Sequence, residues 1–350
     1  MNGWDGVTSR KGRRFTILAG IGLLSTALSA QVPIPYNSQS QAGQFQVEPT
    51  RLPTLAEQLG TLANVDDGRL GIAATDLETG KTITFAGSHP FPMASTVKVA
   101  IAGAYLAGVD KGRFDLDQLY RYGRRSVLTA GQLMERMLIR SDNSAADILL
   151  KAVGGPDAVN SWLSRAGIRG QRMDRSIAKL VHDDRRWTGR RIPVNMPQSP
   201  LEVAQSATLS DDGQLDPAFV GDARDTSTPS AMVQLLAKLH KGALLSAEST
   251  DYLFDVMSRC VTGRSRIKGL LPAGTRVAHK TGTLAGVSDD VGIVTLPNGH
   301  HLAVAVFAKG MRTEWERDRN IAQLTRVLYD GFTAFEPSTT TASMGRTIAR

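Results

Sequence analysis

The chain has 350 residues, of which 41% are hydrophobic and 21% charged, so it is long enough to bury a sizeable core and is not disordered as a whole. Cys260 is the only cysteine, which excludes an internal disulfide and a cysteine-based metal site. The formal net charge is +8, but the first 30 residues supply +3 of it. The remaining +5 does not point to a nucleic-acid partner.

The first 30 residues follow the order of a secretory signal peptide. A basic run at residues 10–14 precedes an apolar run at residues 15–28, and small residues follow up to Ala30. The apolar run is shorter than the about 20 residues that a membrane-spanning helix needs. We therefore expect cleavage near Ala30 and an exported protein, periplasmic or secreted, with no membrane association afterwards. The paired arginines in the basic run leave the export route open between the general secretory and twin-arginine pathways.

Two further segments lack any hydrophobic periodicity. Residues 31–51 are rich in Gln, Pro and Ser, and residues 336–350 are rich in Thr and Ser. Such compositions are typical of flexible segments, so we interpret them as a leader and a tail. The folded body then covers residues 52–335.

The body begins and ends with a β-hairpin pattern and is helical between the two. The first hairpin covers residues 70–85 around a Glu-Thr-Gly turn, and the last covers residues 290–308 around Pro-Asn-Gly. Strands at both ends with helices between them predict an α+β fold: an antiparallel sheet built from both chain ends, with a helical lobe of about residues 95–240 inserted and a cleft between the lobes. The predicted helices cover residues 96–106, 129–139, 157–166, 233–245, 249–257 and 314–332.

Several common functional motifs are missing from the chain. It has no G-x-S-x-G elbow, no P-loop, no G-x-G-x-x-G after a strand and no H-E-x-x-H. The His300-His301 pair at a predicted hairpin tip is interpreted as exposed and unliganded, so we expect no metal site. The basic pairs Arg185-Arg186 and Arg190-Arg191 are interpreted as a solvated loop rather than a nucleic-acid contact.

A serine followed three residues later by a lysine occurs three times, beginning at Ser95, Ser176 and Ser265. Only Ser95 opens a long apolar helix, where its hydroxyl lies among unpaired backbone N–H groups and Lys98 follows on the same helix face. A lysine buried against such a helix has a depressed pKa and can accept a serine proton. Taken alone, the pair favours the simpler interpretation of an N-cap serine and a surface lysine.

Two tripeptides decide between these interpretations. Ser141-Asp142-Asn143 falls in a predicted turn between helices, and Lys280-Thr281-Gly282 lies on a predicted edge strand before the last hairpin. With S-x-x-K at Ser95, this set resembles the penicillin-recognising serine enzymes, and the class A β-lactamases in particular. The resemblance covers about residues 54–332 and implies the β-lactamase/transpeptidase-like fold.

The resemblance also implies a role for each residue of the three motifs. Ser95 is the expected nucleophile and Lys98 its proton acceptor, while Ser141 passes a proton to the leaving nitrogen. Asp142 is expected to support the turn rather than to react. The substrate-binding residues would be Asn143 for a side-chain amide, Lys280, Thr281 and Gly282 for a carboxylate, and Thr283, whose N–H completes an oxyanion hole with that of Ser95.

The sequence departs from the class A pattern at the base that hydrolyses the acyl-enzyme. Residues 172–175 match the residues that precede this base in class A enzymes, but Ile177 stands where the glutamate that acts as the base is expected. A long insertion of about residues 178–224 follows, and one of its carboxylates is a possible substitute: Asp183, Asp184, Glu202, Asp211 or Asp212.

We therefore expect an exported, monomeric serine hydrolase of β-lactamase type that acts on a small carboxylate-bearing amide or ester and needs no cofactor. Two alternatives stay open. One is a peptidase or esterase acting on cell-wall peptides or another carboxylate-bearing substrate. The other is a penicillin-binding sensor module that is acylated without turnover.

Overall fold

The computed structural model describes residues 54–64, 69–187 and 222–334. The expected signal peptide, the leader and the tail from residue 336 lie outside these residues, as do Arg190, Arg191 and the part of the insertion that contains Glu202, Asp211 and Asp212.

A five-stranded antiparallel sheet forms one layer of the protein. Its strands are β1 (Arg69–Asp76), β2 (Thr82–Phe85), β7 (Val277–Leu284), β8 (Val287–Thr295) and β9 (His301–Lys309). Their order is β2-β1-β9-β8-β7, so the strand β1 from the start of the body pairs with β9 from its end. This confirms the prediction of a sheet built from both chain ends.

Both faces of the sheet are covered, which explains why the central strands are apolar on both sides. On one face, residues such as Ile72 and Val304 pack with α1 (Leu55–Ala63) and α9 (Glu314–Ala334) in one core cluster. On the other face, α7 (Pro229–His240) packs on β1 and β9. The sheet is therefore the middle layer, and its β7 edge remains available for the site.

The second lobe surrounds α2 (Lys98–Val109), whose residues from Lys98 to Gly108 are all buried. A helix that is apolar on all sides belongs in a core, and α2 contacts helices on several sides. The helices that contact it are α3 (Ala130–Ile139), α4 (Asn143–Val153), α5 (Pro156–Arg165) and α8 (Ala247–Ser258), and α6 (Ile177–Trp187) packs on α4.

Three details differ from the sequence-based expectations. The inserted lobe is not all helical, because a hairpin of β4 (Leu119–Tyr122) and β5 (Ser126–Thr129) lies within it. It also contains β6 (Thr226–Ser227), which pairs with β3 (Phe91–Pro92) just before the lobe. The helix predicted over residues 233–245 is α7, which begins earlier because Thr228 caps it and Pro229 occupies its first turn.

The third difference concerns α6. The insertion begins as a helix, and Arg185 and Arg186 belong to its last turn rather than to a solvated loop. Ile177 and Leu180 are buried and lie three residues apart, which is the spacing of one helix face. Among the described residues, no helix is both long and apolar enough to cross a membrane.

Candidate active site

Ser95 lies in a 3₁₀ turn (Ala94–Val97) that leads directly into α2. Ala94 has a φ of 44°, a left-handed conformation that is strained for a residue with a Cβ atom. The helix predicted from Thr96 is therefore continuous with a tighter first turn that carries Ser95. Backbone strain held next to a half-buried serine is typical of a functional site.

Lys98 is fully buried, so the interpretation as a surface lysine is wrong. Its Nζ donates hydrogen bonds to the carbonyl oxygen of Ser141 (2.6 Å), the hydroxyl of Ser141 (3.1 Å) and Oδ1 of Asn143 (2.7 Å). Burial first, and the charge of Lys280 second, hold the Lys98 pKa well below its ordinary value. Lys98 is thus the kind of lysine that can be neutral and accept a proton.

Ser141 lies in the turn between α3 and α4 with a φ of 59°. Asp142 caps α4 by accepting the N–H of Ala145 at 2.9 Å, and it also accepts the hydroxyl of Tyr122 at 2.6 Å. These bonds agree with the prediction that Asp142 supports the turn. They fix the strained backbone that turns the Ser141 side chain towards both lysines.

Lys280 to Thr283 belong to the edge strand β7, as predicted. The Nζ of Lys280 donates to the Ser141 hydroxyl at 2.9 Å and to the Thr281 carbonyl oxygen at 2.7 Å. Burial lowers the pKa of Lys280 to about 8. Gly282 lies so close to the turn before Ser95 that a Cβ atom on it would be 2.8 Å from the carbonyl oxygen of Met93.

Arg266 is a site residue to which the sequence motifs assign no role. Its guanidinium is buried and donates to the Thr283 hydroxyl (2.9 Å), to the Gly282 carbonyl oxygen (2.8 Å) and to Asp318 (2.6 Å). It therefore holds the end of the edge strand in place and brings a positive charge close to Thr283.

The segment before α6 is held by a buried ion pair. The Nε of Arg175 lies 2.5 Å from Oδ2 of Asp225, and Oδ1 of Asp225 accepts the backbone N–H groups of Asp174 (2.7 Å) and Arg175 (3.0 Å). Arg175 also contacts Asp183 and Asp222. The position of the residues that follow is thus fixed relative to the rest of the helical lobe.

Ile177 follows this ion pair and is buried. Its N–H donates to Oδ1 of Asp147 at 2.7 Å, and the N–H of Ala178 donates to Oδ2 at 2.9 Å. Burial raises the pKa of Asp147, and the charge of Lys98 opposes that effect. Ile177 therefore lies beside a carboxylate that interacts with Lys98, and its own aliphatic side chain cannot accept a proton.

Two of the insertion's candidate carboxylates lie on α6. Asp183 is bound by Lys179 and Arg175, and these contacts, that of Lys179 first, outweigh burial and lower its pKa to about 2. Asp184 accepts the N–H of Ala285, in the turn after β7, at 3.3 Å. On the same helix, Leu180 packs in a small cluster with Ala94, next to Ser95, and with Leu284 at the end of β7. α6 therefore closes one side of the site.

The interpretation of His300 and His301 as exposed is wrong. Both are half-buried, because His300 pairs with Asp76 at 2.9 Å and His301 pairs with Glu78 at 2.8 Å. Ligand atoms of Asp76, Glu78 and His300 lie within 4.8 Å of one another. These hydrogen bonds join the end of β1 and the turn after it to the start of β9.

The sequence pattern of the β-lactamase enzyme family matches residues 54–332. The chain belongs to this family. It is also similar to the β-lactamase VEB-1 of Pseudomonas aeruginosa, with 26% identity over 302 residues that cover 79% of this chain and 89% of that protein.

Solved structures of class A β-lactamases have the same fold. The last common ancestor of the enzymes of Gram-negative bacteria is 32% identical, with a TM-score of 0.66 over 79% of this chain and 99% of that one. A β-lactamase from Chitinophaga pinensis is 29% identical, with a TM-score of 0.66 over 79% and 99%. These likenesses confirm the α+β, β-lactamase/transpeptidase-like fold and the class of serine hydrolase that works through an acyl-enzyme.

Proposed function

We propose that this protein is an exported class A β-lactamase that opens β-lactam amides through an acyl-enzyme on Ser95. One observation carries the proposal: Lys98 and Lys280 both donate hydrogen bonds to the hydroxyl of Ser141, at 3.1 and 2.9 Å. This contact joins residues from the three motifs in one proton-transfer network. The network contains a buried lysine with a lowered pKa, which is what serine activation needs.

Acylation begins when neutral Lys98 accepts the proton of Ser95 and the serine oxygen bonds to the β-lactam carbonyl carbon. The carbonyl oxygen becomes an oxyanion, which the N–H groups of Ser95 and Thr283 bind. Removal of one such donor typically costs about 3 kcal/mol of transition-state stabilisation. The C–N bond then breaks, and the proton passes from Lys98 through Ser141 to the leaving nitrogen.

The substrate carboxylate would lie against Lys280 and Thr281, where the ammonium group and the hydroxyl donate charge-assisted hydrogen bonds. Arg266 supports this anionic subsite through its bond to the Thr283 hydroxyl. Asn143, which accepts from Lys98 through Oδ1, retains its amide N–H groups for the substrate's side-chain carbonyl. No cofactor or metal takes part in these steps.

Hydrolysis of the acyl-enzyme needs a base that activates a water molecule. Ile177 cannot supply it, and this favours a second candidate function: a penicillin-binding module that is acylated and releases its product slowly or not at all. A peptidase or esterase would use the same serine and the same carboxylate subsite on a different substrate.

Two measurements test the proposal. A fluorescent penicillin should label the wild-type protein and a Ser265→Ala control, which removes the serine of another S-x-x-K copy, but not Ser95→Ala. The rate of steady-state hydrolysis of a chromogenic cephalosporin then distinguishes a β-lactamase from a penicillin-binding module that releases its product slowly or not at all. Equal labelling of Ser95→Ala and wild type contradicts the assignment of the nucleophile.

We also propose export with loss of the first 30 residues, and function as a monomer in the periplasm or medium. The order of basic, apolar and small residues at the N-terminus supports this location. An extracytoplasmic site would also bring the enzyme into contact with β-lactams before they reach the cell-wall enzymes.

A further inference from the structure

A buried cluster of three titratable side chains lies next to the carboxylate subsite, and the proposed mechanism does not use it. Nδ1 of His279 lies 2.8 and 2.9 Å from the two carboxylate oxygens of Asp290, and both residues are fully buried. The thiol of Cys260 is also buried and interacts with the His279 ring. No hydrogen bond of ordinary geometry reaches Nε2 of His279 within the described part of the chain.

Hydrogen bonds connect the thiol to the carboxylate subsite. Sγ of Cys260 lies 3.2 Å from Oγ1 of Thr262, and Oγ1 of Thr262 lies 2.6 Å from Oγ1 of Thr281. Thr281 is one of the two residues proposed to bind the substrate carboxylate. The thiol is therefore two hydrogen bonds away from Thr281 and three from the anion that Thr281 would bind.

Each threonine hydroxyl has one proton, so the direction of this chain is set at the sulfur. When sulfur accepts the proton of Thr262, the 2.6 Å contact requires Thr281 to donate to Thr262, and the proton of Thr281 then points away from the substrate. When the thiol donates to Thr262, Thr262 can donate to Thr281, and the proton of Thr281 is available to the substrate carboxylate.

We propose that Cys260 is a positioning residue for the substrate carboxylate: its protonation state sets the direction in which the Thr281 hydroxyl donates. The thiol form favours anionic substrates, and the thiolate form weakens their binding. This inference rests on the proposed function, because it concerns the subsite assigned there to the carboxylate.

The charged groups around the sulfur favour the thiolate near neutral pH. Burial raises the pKa of the Cys260 thiol, but His279 and the charge of Lys280 outweigh burial and lower the pKa to about 6. Burial lowers the pKa of His279, but Asp290 outweighs it and raises the pKa to about 9. Arg266 adds a further positive charge that acts on Lys280. His279 therefore stays protonated over the pH range in which the Cys260 thiol loses its proton.

The test compares wild type with Cys260→Ser, which keeps a hydroxyl at this position but does not ionise. KM and kcat are measured from about pH 5 to about pH 7, below the range in which Lys280 loses its charge. The two substrates are a chromogenic cephalosporin and its methyl ester, which lacks the carboxylate. If acylation is not followed by turnover, the concentration for half-maximal acylation rate replaces KM.

For wild type, we expect KM for the carboxylate substrate to rise about tenfold between these pH values, because one charge-assisted hydrogen bond to the carboxylate is lost. Cys260→Ser should have a low KM that does not change with pH, and neither protein should show the rise with the methyl ester. A thiolate absorbance band that appears with the same midpoint in wild type, and is missing from Cys260→Ser, would support the assignment to Cys260.

Two results would overturn the inference without affecting the proposed function. One is an unchanged KM rise in Cys260→Ser, and the other is the same rise with the methyl ester, which has no carboxylate for Thr281 to bind. By contrast, failure of wild type to be acylated by either compound contradicts the proposed function itself, and the carboxylate role of Thr281 with it.

Discussion

The ammonium group of Lys280 lies 2.9 Å from the hydroxyl oxygen of Ser141, a residue 139 positions earlier in the chain. Lys280 is on the edge strand of the sheet, and Ser141 is in a turn of the helical lobe. The contact therefore joins the two lobes at the site. In the proposed mechanism, Lys280 would therefore both bind the substrate carboxylate and contact Ser141, the residue that would protonate the leaving nitrogen.

The first prediction follows from the lowered pKa of Lys280. Its ammonium is charged below its pKa and neutral above it, so attraction for a substrate carboxylate is lost as the pH rises through about 8. Lys280→Ala should raise KM for an anionic β-lactam about 10- to 100-fold and abolish the dependence of KM on pH in this range. Steady-state kinetics from about pH 7 to about pH 9 measures both effects.

Lys268→Ala provides the control for this prediction, because Lys268 belongs to another S-x-x-K copy and has no place in the proposed site. It should leave KM and its pH dependence unchanged. If Lys280→Ala behaves in the same way, the carboxylate is bound elsewhere, and Arg266 becomes the residue to replace next.

The second prediction concerns the ion pair between Arg175 and Asp225. Both side chains are buried, so Arg175→Ala would leave the Asp225 carboxylate without its partner in a low-dielectric environment. This should lower the free energy of unfolding by about 3–5 kcal/mol. The neighbouring Arg172→Ala is a matched control. Arg172 pairs with Asp174 while its side chain is 60% exposed, and such a pair contributes about 0–1 kcal/mol. Chemical denaturation of the two variants should separate them clearly, and equal stabilities would contradict the buried role of Arg175.

The third prediction concerns export. Protein recovered from the periplasm or medium of an expressing cell should begin near Gln31, because the signal peptide is removed during translocation. Mass spectrometry of the intact protein measures this directly. Replacement of Arg13 and Arg14 by lysines should abolish export only if the twin-arginine pathway is used. A full-length protein confined to the cytoplasm would refute the prediction of export.

The sequence was sufficient for the sheet and for the turn that carries Ser141, because both depend on local patterns. The two hairpins consist of short, largely apolar runs around strong turn residues, and the capping box of Thr129 and Gln132 is present at the start of α3. α6 was not predicted. Ile177 and Leu180 have the spacing of one helix face, but the basic pair at residues 185–186 favoured a solvated loop.

The cluster of Cys260, His279 and Asp290 could not be predicted from local patterns. These residues belong to a loop and to two neighbouring strands, and no short motif links them; only the register that pairs Thr281 with Asp290 brings the carboxylate to the histidine. Likewise, the apolar helix alone left the burial of Lys98 open, and its contacts with Ser141 and Asn143 depend on how α4 packs against α2.

The last prediction is that release of the acyl group, rather than its formation, limits the wild-type enzyme with ordinary β-lactams. A general base typically contributes about 10²- to 10⁴-fold to the rate, and Ile177 cannot act as one. Rapid mixing with a chromogenic cephalosporin should therefore give a stoichiometric burst followed by slow turnover. Ile177→Glu should shorten the lifetime of the acyl-enzyme and reduce the burst.

Ile177→Gln is the matched control, because it has the same length and buries a similar polar group but cannot accept a proton at neutral pH. If Glu accelerates release and Gln does not, proton transfer rather than a change in packing explains the gain. Fast, linear turnover of the wild type would contradict the prediction and require another base. Asp147, beside the N–H of Ile177, and Asp184, on α6, are then the carboxylates to replace by Asn, and the true base is the one whose loss restores the burst.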